Sequence, residues 1–200
     1  MDKIAVIPAR AGSKRLPKKN YKSFNSRTLV EIARDKCIAA GVFDKVIISS
    51  DDPFFEDLVN SNEVEFIKRS DHLAGDNATT DMVIDFFFEE IPSCETILWV
   101  NSVSPLQTIE DIKKCGTRLI DPDVDCVMAT NTLYQHCCIA NKPINFNPNS
   151  PFEKTQDLEP IQRYIYSCMG WRRQTYVKFR MEGFKGLFPG NMSLVEVSTL

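Results

Sequence analysis

Short apolar runs alternate with longer amphipathic stretches along most of the chain. Residues 4–7, 46–49, 64–67, 96–100 and 124–129 are such runs, too short for helices, and each reads as a strand. Between them, apolar positions recur at helical spacing. Thr28 stands where an N-cap belongs, Leu29, Ile32, Ala33, Cys37 and Ala40 share a face, and Gly41 marks the stop, so the pattern predicts a helix through Ala40. Pro53 suits a first helical turn and opens a helix over 53–60. Thr79 or Thr80 caps a further helix through Glu90, with Val83, Ile84, Phe87 and Ile91 inward, and another covers 109–119. Strands alternating with helices imply an α/β fold, a mostly parallel sheet covered on both faces.

The alternation stops after Thr130. Residues 141–160 hold Pro143, Pro148, Pro151 and Pro160 among several Asn and show no period. So long a stretch is uncommon as a plain connection. It is expected to be an excursion, spanning 131–165, that closes a site or meets a partner subunit. Order resumes at 164–171, a helix-like stretch covers 173–182, and 192–197 reads as a last strand. The expectation is a single domain over 1–200, long enough to build a core without staples.

Composition narrows the class. With 43% hydrophobic and 26% charged residues, the chain is neither disordered nor fibrous. It has no run of about eighteen apolar residues and no signal-like start, so a membrane partner is not expected. Its seven Cys include neither a CxxC pair nor a zinc spacing, which points to a reducing, cytoplasmic setting, with Cys137 and Cys138 as incidental thiols. A net charge of −3 argues against nucleic acid as a partner of the whole chain. The charge is uneven, however. Arg10, Lys14, Arg15, Lys18, Lys19, Lys22 and Arg27 lie in one segment without a single acid, which marks a place for a local anion.

That segment follows the first strand as Pro8-Ala9-Arg10-Ala11-Gly12-Ser13-Lys14-Arg15-Leu16-Pro17-Lys18-Lys19-Asn20. Ligands of open α/β sheets bind beyond the carboxyl ends of strands. Gly12 permits close backbone approach, Ser13 and backbone N–H groups can wrap phosphate oxygens, and Arg10, Lys14 and Lys19 supply positive charge. The spacing fits neither GxxxxGK[ST] nor GxGxxG.

The loop resembles the signature of the acylneuraminate cytidylyltransferases, the CMP-sialic acid synthetases, with Arg10, Gly12-Ser13-Lys14, Pro17 and Lys19-Asn20 in pattern. Ser49-Ser50-Asp51, Lys68-Arg69 with Leu73-Ala74-Gly75-Asp76 and Ala78-Thr79-Thr80, and Ser104-Pro105-Leu106 continue the resemblance over residues 3–130. It implies a Rossmann-like nucleotidyltransferase fold, a homodimer, Mg²⁺ as cofactor, and transfer of CMP from CTP to a sialic-acid-like sugar. Arg10 and Lys19 would be catalytic. Arg10, Ser13, Lys14, Lys19 and Asn20 would contact CTP phosphates or ribose, with Gly12 in the same loop. Ala9 and Ala11 would line the base pocket, and Arg69 and Thr80 would help hold the nucleotide, although Thr80 serves equally as a helix cap. Asn101, Ser104, His136 and Lys142 would face the acid sugar.

The chain departs from the resembled pattern in three places. Gln107 replaces an Arg, which removes a positive group, and Asn101-Ser102-Val103 replaces Gln-Pro-Thr beside the sugar. An Asp-x-Asp element that would bind Mg²⁺ is expected beyond the last strand, and residues 198–200 contain none, so the metal ligands stay unassigned. Asp51 lies near a strand end, where it can cap the following helix. Two other readings stand beside the leading one: a related cytidylyltransferase for a different acid sugar, and a catalytically weak nucleotide-binding subunit.

Overall fold

The structure, a computed structural model, describes residues 2–12 and 16–198. Seven strands form one sheet: β1 (Asp2–Pro8), β2 (Lys45–Ser50), β3 (Val64–Lys68), β4 (Cys94–Val100), β5 (Cys126–Leu133), β6 (Ile161–Arg172) and β7 (Met192–Glu196). Their order across the sheet is β3-β2-β1-β4-β6-β5-β7. β1 pairs in parallel with both β2 and β4, so Val6 lies between Ile47 and Trp99. The chain builds outward from β1 on one side, then returns to add β4 on the other. The crevice beyond the carboxyl ends of β1 and β4 is therefore a topological switch point.

Helices α1 (Leu29–Ala40) and α3 (Ile109–Ile120) cover one face, α2 (Thr80–Glu90) and α4 (Arg173–Met181) the other. Period-two alternation splits β1 between the layers: Ala5 and Ile7 pack with Ala33, Cys37 and Cys115, while Ile4 and Val6 pack with Ile84 and Phe87. α1 begins in the predicted place because Thr28 and Glu31 form a reciprocal capping box, and it ends at Gly41, whose φ of 65° favours glycine. Thr108 and Asp111 cap α3 in the same way. Asp111 also accepts from the Ser198 backbone at 2.9 Å, tying the chain after β7 to α3. Burial works against the Asp111 charge, but the bonds from Ser198 and Thr108 outweigh it and hold its pKa below the usual value. That contribution to stability is complete above about pH 4 and fades as pH falls through the lowered value.

The order expected from the sequence holds with local changes. Residues 53–60 were expected as a helix; they form a short 3₁₀ helix, Pro53–Leu58. Its cap is Asp52, which accepts from the Phe54 N–H at 2.9 Å, and not Asp51. β6 runs antiparallel to both β4 and β5. No crossover helix joins β5 to β6; the chain goes out and returns, and a strand that returns pairs antiparallel. The returning segment contains a small hairpin, Cys138–Ile139 with Lys142–Pro143. It is fastened by Asn145, which accepts from the Cys137 N–H at 2.9 Å and donates to the carbonyls of Gln135 at 2.8 Å and Glu159 at 2.9 Å. Among the described residues no helix is long and apolar enough to cross a membrane.

Arg172, at the end of β6, locks the sheet to the C-terminus of α3. Its guanidinium donates to the carbonyls of Leu119 at 3.0 Å, Asp121 at 2.8 Å and Val124 at 3.0 Å, and it meets Glu95 at 3.1 Å. A cation there satisfies carbonyls that the helix leaves open and complements its dipole. Arg172→Met should lower stability by about 2–3 kcal/mol, read as a shift of the urea midpoint at unchanged slope.

Candidate active site

A cleft of about 260 Å³ opens at the switch point. The exit of β1 supplies Arg10, the end of β3 Arg69, the end of β4 Trp99 and Asn101, and the start of α2 Thr79 and Thr80. A 3₁₀ turn, Lys19–Tyr21, returns the basic loop to the cleft and contributes Lys19 and Asn20.

Ser49, Ser50 and Asp51 hold the loop where it leaves β1. The Ala9 N–H donates to Ser49 O at 2.8 Å, Ser50 Oγ donates to Ala9 O at 2.7 Å, and the Ala11 N–H donates to Asp51 Oδ1 at 2.8 Å. Farther along, the Tyr21 hydroxyl donates to Asp52, and its ring packs on Phe54 and Phe55. That hydroxyl bond, helped by the Phe54 N–H, holds the Asp52 carboxyl below its usual pKa. Arg10 spans the cleft wall: Nη1 donates to Ala74 O and Gly75 O, both at 3.3 Å, and lies 3.6 Å from the Asp76 carboxylate.

Arg69 is the electrostatic anomaly. It is 3% exposed, and its Nε and Nη2 have no hydrogen-bond partner among the described residues. Its backbone N–H is fixed to Ser50 O at 2.8 Å. Burial lowers its pKa, Asp51 opposes that shift, and Arg10 adds to it. An unpaired buried charge costs several kcal/mol, a cost offset when an anion arrives. Arg10, Lys19 and Arg69 converge on one cleft, as a polyanion requires, while among the described residues the lining contains no His or Cys. The Ser102 hydroxyl donates to Asn20. The arrangement suits group transfer by positioning and charge neutralisation rather than by a protein nucleophile.

A family model described as cytidylyltransferase matches residues 4–161. The chain belongs to the cytidylyltransferase family. It is 30% identical over 187 residues to the N-acylneuraminate cytidylyltransferase of Streptococcus agalactiae serotype III, covering 89% of this chain and 45% of that protein. It is 25% identical over 169 residues to a pseudaminic acid cytidylyltransferase of Campylobacter jejuni, covering 83% of this chain and 63% of that one. The chain thus spans less than half the length of that N-acylneuraminate relative. In fold it is similar to a CMP:2-keto-3-deoxy-manno-octonic acid synthetase solved with CTP, at TM-score 0.70 and 13% identity, covering 97% of this chain and 90% of that one. A 4-diphosphocytidyl-2C-methyl-D-erythritol synthase from Anaerococcus prevotii gives TM-score 0.68 at 15% identity, covering 98% and 88%.

Of the residues singled out in the sequence, the structure gathers Arg10, Lys19, Asn20, Arg69, Thr80 and Asn101 around the cleft. Thr80 is the first residue of α2; the cap position is Thr79, whose side chain makes no capping bond. Ala9 is fully buried behind the loop, outside the lining, because both its backbone groups are bonded to β2. Ala11 is pinned by Asp51, and Gly12 is exposed at the loop. Ser13 and Lys14 lie outside the described residues. Ser104 lines a separate small cavity with Gln107. His136 and Lys142 sit on the excursion rather than in the cleft lining. His136 stacks on Phe152 at 3.9 Å between ring centroids, and Lys142 is exposed on the hairpin. Gln107 does not leave a gap in the cleft. It is 2% exposed and donates to Ser167 Oγ and Cys168 Sγ, both at 3.0 Å, so its side chain faces β6.

Trp99 lines the cleft without having been named from the sequence, and Ser102 and Asp76, quoted there only within motifs and given no role, line it too. Trp99 was readable only as a strand residue; its place one residue before the carboxyl end of β4 was the available signal. Among the described residues no group of three or more His, Cys, Asp or Glu comes together to hold a metal. A Mg²⁺ shared with nucleotide phosphates needs only one or two carboxylates, so its ligands stay unassigned.

Arg69→Met should stabilise the ligand-free chain by about 1–2 kcal/mol, since it removes an unpaired buried charge. It should also abolish stabilisation by inorganic pyrophosphate. Urea unfolding with and without pyrophosphate checks both, and an undiminished pyrophosphate effect would count against an anion site at Arg69.

Proposed function

We propose that this chain transfers CMP from CTP to a sialic-acid-like, nonulosonic acid sugar and releases pyrophosphate. The observation that carries the reading is Arg69, buried and unpartnered in a cleft shared with Arg10 and Lys19 at the carboxyl ends of β1 and β4. The names borne by the N-acylneuraminate and pseudaminic acid relatives support the donor and the class of acceptor. The sugar's anomeric hydroxyl attacks the α-phosphorus in line and gives its proton to solvent, the bond to the bridging oxygen breaks, and pyrophosphate leaves with the electron pair. Arg10, Lys19 and Arg69 neutralise charge on the phosphates as it shifts toward the leaving group, and Thr80 meets the nucleotide from the start of α2. Asn101, across the cleft at the end of β4, faces the acid sugar. No residue forms a covalent intermediate.

The excursion exposes Tyr134, Ile139, Ile144 and Phe152, and we propose that a second copy covers them in a homodimer. Seven unpaired cysteines support a cytoplasmic setting.

CTP should raise the melting temperature more than ATP, GTP or UTP. Pyrophosphate should be released when CTP is mixed with the correct member of a panel containing N-acetylneuraminate, pseudaminate and 3-deoxy-manno-octulosonate, assayed with Mg²⁺. A thermal shift that does not favour CTP sinks the reading. Lys19→Ala should lower turnover on the order of 10²-fold, and unchanged kinetics would remove Lys19 from the phosphate site. Ile139→Glu should sediment as a smaller species than the native chain.

A further inference from the structure

The turn Asn101-Ser102-Val103 departs from the resembled motif, and the reaction as proposed gives its middle residue no task. Ser102 is 2% exposed, yet it carries a hydroxyl. That hydroxyl donates to Asn20 Oδ1 at 2.9 Å. Asn20 is itself only 3% exposed, and its Nδ2 donates to the carbonyl oxygen of Arg10 at 2.9 Å. Three segments distant in sequence are thus joined by one buried amide: the exit of β1, the 3₁₀ turn and the turn after β4. The last of these is well defined. Asn101 Nδ2 donates to Tyr166 O at 3.2 Å, Asn101 O accepts from the Ser104 N–H at 3.1 Å, and Asn101 Oδ1 accepts from the Val103 N–H at 3.4 Å.

We infer that Ser102 and Asn20 are positioning residues: the chain Ser102–Asn20–Arg10 sets the separation between the phosphate side of the cleft and its Asn101 side, and transmits occupancy of the first to the second. Both ends of the Asn20 amide are engaged within the chain, which orients it for bridging. Buried hydrogen-bond chains gain strength from the low local dielectric and hold a single arrangement. In-line transfer is sensitive to such spacing, since a displacement of about 1 Å between reactants costs about 10²-fold in rate. The inference rests on the proposed transfer for its effect on turnover, but the transmission itself needs only an anion at the cationic side.

Two measurements on the native chain, Ser102→Ala and Ser102→Thr test it. In kinetics, Ser102→Ala should lower kcat by roughly 10- to 100-fold with the CTP Kd within about threefold of native, and Ser102→Thr, which keeps the hydroxyl, should recover most of the loss. In hydrogen exchange, inorganic pyrophosphate should slow the Val103 and Ser104 amides in the native chain and leave them unchanged in Ser102→Ala. If Ser102→Ala fails to fold, Ser102→Cys, a weaker donor of similar size, makes the same comparison. The staple is overturned by equal protection in native and variant, by no protection in the native chain, or by a tenfold rise in CTP Kd at unchanged kcat. A native chain that transmits protection but turns over none of the acid sugars overturns the proposed function and leaves the staple intact.

Discussion

Strand β1 is hydrogen-bonded along both edges to parallel neighbours, and the site depends on that constraint. A strand so enclosed can leave the sheet only at its carboxyl end. There the polypeptide goes first to β2 on one side and later to β4 on the other, so the two connections diverge and leave a crevice. Ser49, Ser50 and Asp51 at the end of β2 then fasten the departing loop by its backbone. The Arg10 side chain instead reaches across to the carbonyls of Ala74 and Gly75. Ala9 and Ala11 are thus fixed to one neighbouring strand, while the Arg10 side chain lines the cleft beside the other.

The same architecture explains how a charge can be buried without a partner. Arg69 follows β3 directly, and its backbone is bonded to Ser50. Its guanidinium is thus carried into the cleft by the sheet rather than by its own interactions. Elsewhere the fold treats a partly buried arginine differently: Arg172 reaches carbonyls at the end of α3 and a carboxylate. One guanidinium is spent on carbonyls within the fold, while the other leaves Nε and Nη2 unbonded beside the cleft.

The sequence was most legible where local chemistry and global packing agree. Helix α1 was readable to its last residue, because Thr28 and Gly41 settle its ends without reference to the rest of the chain. Arg10, Lys19 and Arg69 were readable as a set through motif resemblance. The excursion was legible only as a break in rhythm. Its order comes from Asn145, whose partners Gln135, Cys137 and Glu159 lie 10, 8 and 14 residues away, and no propensity encodes such bonds. Asp51 and Asp52 show the limit at single-residue scale: adjacent acids of equal capping ability, divided between loop and helix by the way β2 ends.

Alone, the sequence determined the order of strands and helices, the boundaries set by caps, and the segment where positive charge concentrates. These follow from periodicity and from side-chain bonds within one turn. Tertiary structure decided the rest. It turned β6 antiparallel, placed His136 and Lys142 away from the cleft lining, faced Gln107 inward, left Arg69 unpaired and joined Ser102 to Asn20. Each outcome depends on which strand ends lie side by side, and that is fixed by burying two helical layers against one sheet, through contacts between residues far apart in the chain.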